Sequence, residues 1–312
     1  MKARWLALVC VALLACDKGS SSKGPVGSGA LSADELALFK NLPAGGNVVI
    51  GGNYMKVQAW VQSAMGDAMA AMGPGWKEYS QCWAGLTNVK LAGTVVVVGS
   101  VELRMAFAGA TLEDMKRCGD KAGFKSTLDP DGKFLSMQVT TMGQTVEQGM
   151  LLLPSGAIYM RQAIAGLGAI VPGARADLEA DTAKLAQATA LDDPKLQKLV
   201  AKVDRSKTLW FAGTAAGTSI ADTLGEVYGT VDIAPGMSVD ITAEVLDKAT
   251  ADKVVASVDD VKKNSGQLPA EMRSVFETLS VNRDGNHLRV RMKVTDAQLA
   301  SLMKQMPFGR GM

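Results

Sequence analysis

Apolar positions recur along this chain with two periods. In the stretches around residues 90–108 and 229–245 they alternate with polar ones. Val101, Leu103, Met105 and Phe107 share one face of an extended segment, and Val239, Ile241, Ala243 and Val245 share one face of another. A third such strand carries Leu288, Val290, Met292 and Val294 on one side and His287, Arg289, Arg291 and Lys293 on the other. Helical spacing appears over Lys56–Met72, Leu112–Ala122, Arg175–Ala190, Ala249–Asn264 and Asp296–Met306. Alternating strands, as opposed to continuously apolar ones, predict antiparallel sheet with one face covered by helices, which makes the class α+β.

The order of these elements repeats. Leu38–Asn53 aligns without gaps on Leu199–Thr214, each a helix leading into a short apolar strand that ends near glycine. The helix starts are similar: Ser32 with Glu35 forms a capping box, and Asp193 precedes Pro194 as N-cap before N1. Gly93-Thr94-Val95 matches Gly229-Thr230-Val231, and Ser100-Val101-Glu102-Leu103 matches Ser238-Val239-Asp240-Ile241. The hairpin turn lies near Gly99 in the first stretch and at Pro235-Gly236, two residues longer, in the second. Asp131-Gly132 and Asp284-Gly285 each open a further alternating strand. The pattern predicts two tandem similar α+β repeats, residues 32–173 and 174–312, each an antiparallel sheet with helices packed on one face. The first carries an extra hairpin around Met150–Met160, and Gly166–Gly173 marks the junction.

The first residues carry an address. Lys2 and Arg4 are followed by an apolar run from Trp5 to Leu14, too short for a bilayer span of about 20 residues but suited to a signal peptide. Leu13-Leu14-Ala15-Cys16 then resembles the lipobox of bacterial lipoprotein precursors. That resemblance implies cleavage after residue 15 and diacylglycerol transfer to Cys16. The product is an exported protein, lipid-anchored to the bacterial cell membrane, with inner or outer membrane undecided. Residues 16–31 include a Gly/Ser-rich tether with an r.m.s. span of roughly 20 Å, enough to hold a folded part away from the membrane.

Composition narrows the function. Apolar residues make up 47% of the chain, ample for a core. The 33 basic residues nearly balance 31 acidic ones, so there is no electrostatic footprint for nucleic acid. A single histidine makes hydrolytic triads and His-rich metal sites hard to assemble. With Cys16 taken by lipid, Cys82 and Cys118 remain, and an even pair in an exported chain reads as a disulfide. A reactive thiol or a metal ligand is the alternative, without a CxxC spacing or nearby histidine to support it. Met65, Met69 and Met72 fall on one helical face, which suits core packing, an apolar ligand groove or a soft Cu(I) site. His287, Arg289, Arg291 and Lys293 form either a solvated face or a basic strip that meets an anionic ligand or lipid headgroups.

Catalytic motifs are sparse. Ser301 and Lys304 have the SxxK spacing without its usual partners, and Asp129-Pro130-Asp131-Gly132 suits a turn better than a calcium loop. No G-x-S-x-G, P-loop or G-x-G-x-x-G occurs. The chain is thus expected to be a non-enzymatic envelope lipoprotein with no cofactor and no catalytic residues. Its ectodomain would bind an envelope protein or an apolar small molecule. A purely structural envelope role is the alternative, and an enzyme with an unrecognised site the weaker one.

Overall fold

The computed structural model describes residues 31–53, 55–57, 59–60, 75–86, 89–98, 100–141, 144–165, 169–172, 174–216, 221–233, 236–267 and 270–298. The chain divides into two compact units, Gly29–Lys198 and Leu199–Met306.

In the N-terminal unit, α1 (Ala33–Phe39) leads to β1 (Val48–Gly52), and α2 (Trp76–Ala84) precedes β2 (Lys90–Val98) and β3 (Ser100–Ala108). Then come α3 (Leu112–Lys121), β4 (Lys125–Leu128), β5 (Phe134–Thr141), β6 (Gln144–Leu152), β7 (Ile158–Ala165), β8 (Ala169–Pro172) and α4 (Arg175–Thr182). The sheet is antiparallel in the order β1-β2-β3-β7-β6-β5-β4, with β8 added to β7. The capping box predicted at Ser32 and Glu35 is present, and Thr111 with Asp114 makes another at α3. The helix expected over Arg175–Ala190 is shorter: α4 ends at Thr182 and a 3₁₀ turn, Ala183–Ala186, replaces its remainder.

One face of this sheet carries Phe107, Met150, Ile158, Met160, Leu135 and Met137, packed with Trp83, Met115 and Cys118 of α2 and α3. Helix α3 lies so close that a Cβ on Gly119 would sit 2.6 Å from Met137 Sδ. Gly75, with φ of 84°, starts α2 against the end of α3, where any Cβ would collide with the Ala122 carbonyl. The opposite face carries Lys90, Ala92, Thr94, Arg104, Ala106 and Tyr159, and α1 and α4 cover it: Lys90 pairs with Asp34 of α1, and Tyr159 donates to Asp181 of α4. The expectation of helices on one face is therefore corrected for this unit, where they lie on both. The alternation was real, but the polar residues of the second face pair with one another and with α4 instead of with water.

In the C-terminal unit, which begins within α5 (Pro194–Val200), the strands are β9 (Leu209–Thr214), β10 (Leu224–Ile233), β11 (Met237–Val245), β12 (Ser280–Asp284) and β13 (His287–Val294). Their antiparallel order is β9-β10-β11-β13-β12. Helix α6 (Lys248–Lys263) is capped by Asp247 and packs Ala251 against Val245 and Leu288, while α7 (Ala270–Thr278) runs into β12. Phe211 on β9 covers Gly229 on β10, whose Cβ, were there one, would lie 2.9 Å from the ring and 2.5 Å from the Asp240 carbonyl oxygen. No helix among the described residues is long and apolar enough to cross a membrane.

The first three strands of the two units share register at their first pairing. Ile50 faces Gly93 and Phe211 faces Gly229, at positions that also match in sequence. The units diverge at the fourth strand. β11 is followed directly by β13, whereas β7 and β6 stand between β3 and β5.

Candidate functional site

Two groups of paired charges stand on corresponding sheet faces, one in each unit. In the N-terminal unit, Glu102 and Arg104 are two residues apart on β3 and so share a face, and Arg161 on β7 is the cross-strand partner of Arg104. Arg104 Nε lies 2.6 Å from Glu102 Oε1 and 3.2 Å from Asp181 Oδ2, and Arg161 Nη2 lies 2.5 Å from Glu102 Oε2. Asp181 also accepts from the Tyr159 hydroxyl and, at 2.9 Å, from Lys184 Nζ. Asp181, Arg104 and Tyr159 are buried. Beside Arg104, Thr94 is buried under the Gly46 loop, where a Cβ would lie 2.8 Å from Thr94 Cβ, so glycine lets the loop close over this face. Burial acts to raise the Asp181 carboxyl pKa, but the hydrogen bonds from Tyr159 and Lys184 and the charge of Arg104 outweigh it and hold the group below its ordinary value. Burial and the neighbouring Asp181 carboxylate push the Tyr159 hydroxyl upward, so it stays protonated. Asp181, Arg104 and Tyr159 are sealed and mutually satisfied, while Arg161 and Lys184 reach the surface, which is the arrangement of a structural network anchored in the core.

In the C-terminal unit, Asp240 on β11 is the register partner of Arg291 on β13. Arg289 holds it with Nε at 2.7 Å from Oδ1 and Nη2 at 2.5 Å from Oδ2, a bidentate pair. Arg291 Nε approaches the same Oδ2 at 3.1 Å. The hydrogen bond to Asp240 raises the Arg289 guanidinium further. Tyr228 stands on the same face, in the row Tyr228–Thr242–Arg289. Lys202 lies 5.4 Å from the Tyr228 ring centroid and pairs with Glu226 at 2.8 Å. Here the side chains stay accessible: 32% for Asp240, 34% for Arg289 and 22% for Arg291.

The structure thus places His287, Arg289, Arg291 and Lys293 on one face of β13, as their spacing predicts. It does not make them an uninterrupted basic strip. His287 stands between Glu244 and Asp284 in its cross-strand row, and Asp240 occupies both arginines. Asp240 and the whole Glu102–Asp181 network went unread in the sequence. The signal available was the match of Ser100–Leu103 with Ser238–Ile241, which puts an acid at the third position of each. Cys82 and Cys118 are joined by a disulfide with Cα atoms 5.3 Å apart, between α2 and α3. Cys16 and Met65, Met69 and Met72 lie outside the described residues. Asp129 and Asp131 both bind the Arg175 guanidinium, at 2.5 and 2.7 Å, so their loop clamps α4. No group of three or more His, Cys, Asp or Glu that could hold a metal ion occurs among the described residues.

No protein-family model matches the chain, and no curated protein matches it. Among solved structures it is similar to crystal form III of TP0453, with a TM-score of 0.49 and 9% identity over 86% of this chain and 98% of that one. Crystal form IV of TP0453 gives a TM-score of 0.47 and 8% identity over 86% of this chain and 96% of the other.

Proposed function

We propose that this chain is a bacterial envelope lipoprotein, anchored through a diacylglyceryl group on Cys16, whose ectodomain is a non-enzymatic binding module for another envelope protein. The observation that carries the export half is the Cys82–Cys118 bond, since disulfides persist in oxidising compartments outside the cytosol. It agrees with the signal sequence ahead of Leu13-Leu14-Ala15-Cys16. The binding half is supported by the contrast between the two charged faces, one closed by its own helix and one accessible. The ectodomain is read as a duplicated α+β unit in which the N-terminal copy gained the β6–β7 hairpin. The equal register at Ile50–Gly93 and Phe211–Gly229 supports that reading.

The test has two arms. Mass spectrometry of the mature protein from its own host is expected to find an N-terminus at modified Cys16, and C16S is expected to leave an unprocessed or released chain. An unmodified N-terminus at another residue removes the anchor. Photo-crosslinking in intact cells is expected to trap a defined envelope protein. A chain that crosslinks to nothing in its native envelope removes the binding role.

A further inference from the structure

The charged group of the C-terminal unit matches that of the N-terminal unit in kind but lacks one member. Each contains one carboxylate held by two guanidiniums: Glu102 by Arg104 on its own strand and Arg161 on β7, and Asp240 by Arg289 and Arg291, both on the neighbouring β13. Each has a tyrosine on the same face, Tyr159 and Tyr228. In the N-terminal unit Arg104 is met by a second carboxylate, Asp181, delivered by α4 from above the sheet and itself also paired with Lys184. In the C-terminal unit, no second carboxylate pairs with Arg289 or Arg291 among the described residues. Their side chains remain open to water to about the same degree as Asp240.

Resting on the binding-module reading above, we infer that the Asp240–Arg289–Arg291 group docks a carboxylate side chain from an acidic segment of a partner protein. That carboxylate enters as Asp181 does in the other unit. A planar guanidinium fork matches an incoming carboxylate in two-point geometry. Lys293 lies two residues beyond Arg291 on the same face, in the cross-strand row that also holds Ser238 and Asp232. At the other end Glu244 and Asp284, flanking His287, repel an acidic partner. The segment is therefore confined to the Arg289–Lys293 end.

The experiment is fluorescence anisotropy on the full chain in detergent, with a dye-labelled ten-residue peptide of alternating acidic and small residues as the probe. Its amide counterpart, with Asn and Gln in place of Asp and Glu, is the comparison. The acidic peptide is expected to bind and the amide peptide to bind at least about tenfold more weakly. R289Q and R291Q are each expected to weaken binding by about three- to tenfold. D240N, which removes the competing internal carboxylate, is expected to tighten it by about two- to fivefold. A misfolded variant does not mimic that gain. The double variant K262Q/K263Q on α6, which removes two positive charges elsewhere against one in each arginine variant, is expected to change nothing. Equal binding of the two peptides, weaker binding by D240N, or an equal loss in K262Q/K263Q overturns the site. So does arginine-dependent binding to phosphatidylglycerol vesicles in preference to the peptide, which makes the occupant a membrane. Peptide affinity unaltered by R289Q overturns the site even where crosslinking finds a partner. Arginine-dependent peptide binding without any crosslinked partner supports the site and tells against the broader reading.

Discussion

A carboxylate paired with an arginine is sealed in the N-terminal unit, as Asp181 with Arg104, and open in the C-terminal unit, as Asp240 with Arg289. In the first, Arg104 and Asp181 are removed from water, and each charge depends on its partner for solvation. In the second, Asp240 and Arg289 keep about a third of their side-chain surface, and water and salt share the work. Identical ion pairs therefore carry different consequences: breaking the sealed group leaves an uncompensated buried charge, whereas breaking the open one leaves a solvated side chain.

The largest expected effect tests that contrast directly. D181N or R104A is expected to destabilise the N-terminal unit by about 3–5 kcal/mol, read as a drop in urea midpoint at neutral pH. The acid limb adds a sign. Asp181 titrates lower in the fold than in the unfolded chain, so its contribution is full above the unfolded value near 3.9 and is lost as pH falls through the folded one. D181N is therefore expected to unfold with a shallower dependence on pH below about 4. An unchanged acid profile would mean that Asp181 is not held in the network. At the other extreme, Tyr159 titrates higher in the fold, so its contribution is lost as pH rises past the ordinary tyrosine value near 10. Y159F is expected to lessen that alkaline sensitivity.

The next effect separates the units by covalent chemistry. The Cys82–Cys118 bond closes a loop with a sequence separation of 36 and ties α2 to α3 in the N-terminal unit. In the chain-entropy description such a loop contributes about 2–4 kcal/mol. The long helix α6 of the C-terminal unit contains no cysteine and so has no cross-link. Reduction is expected to lower the N-terminal transition alone, followed by hydrogen exchange resolved along the chain. An equal loss of protection in α6 and α3 would show that the two units do not respond separately.

Both units also contain a glycine that their packing requires, and these predict smaller and nearly equal losses. A Cβ at Gly119 would press on Met137 Sδ and Ser126 Oγ, which are side-chain atoms. A Cβ at Gly229 would press on the Asp240 carbonyl and the Phe211 ring. G119A and G229A are each expected to cost about 1–3 kcal/mol as overpacking. The second should sit at the upper end, because a backbone carbonyl in a ladder yields less than a thioether. Thermal melts of the two variants decide the order.

How much of this was legible beforehand depended on whether the cause was local. The alternation in β3, β11 and β13, the capping box at Ser32, the Asp193-Pro194 helix start and the turn between Val98 and Ser100 are set by residues within a few positions of each other, and all were readable. The Cys82–Cys118 pairing followed from counting. The second layer of helices over β3 and β7 was not readable. Glu102 and Arg104 in an alternating strand look like a solvated face, and only the return of α4, more than seventy residues later, places Asp181 upon them. The neighbour of β3 was hidden for the same reason. The β6–β7 hairpin reads plainly as a hairpin, but nothing local says that it inserts between β3 and β5. The strip on β13 was readable as a face, whereas its neutralisation by Asp240 depends on the register of β11 against β13.

The smallest expected effect is the one that sharpens the comparison most. D240N removes a carboxylate paired with two cations, as D181N does with Arg104 and Lys184, so a simple count of ion pairs predicts equal damage. Exposure predicts otherwise. With Asp240, Arg289 and Arg291 all accessible, water takes up the arginine hydrogen bonds when the carboxylate goes, and the loss is expected to stay below about 1 kcal/mol. Screening by salt gives a second handle. The Debye length falls from about 10 Å at 0.1 M to about 3 Å at 1 M salt, so the small difference between wild type and D240N is expected to fade at high salt. The D181N difference is expected to persist in the main, because Arg104 and Tyr159 are not reached by mobile ions, and only the share from the exposed Lys184 is screened. Urea melts of both variants at the two salt concentrations provide the four numbers required. A D240N loss comparable to that of D181N, and equally indifferent to salt, would mean that the second face is as closed as the first, and the docking site inferred on it would have no room for a carboxylate from outside.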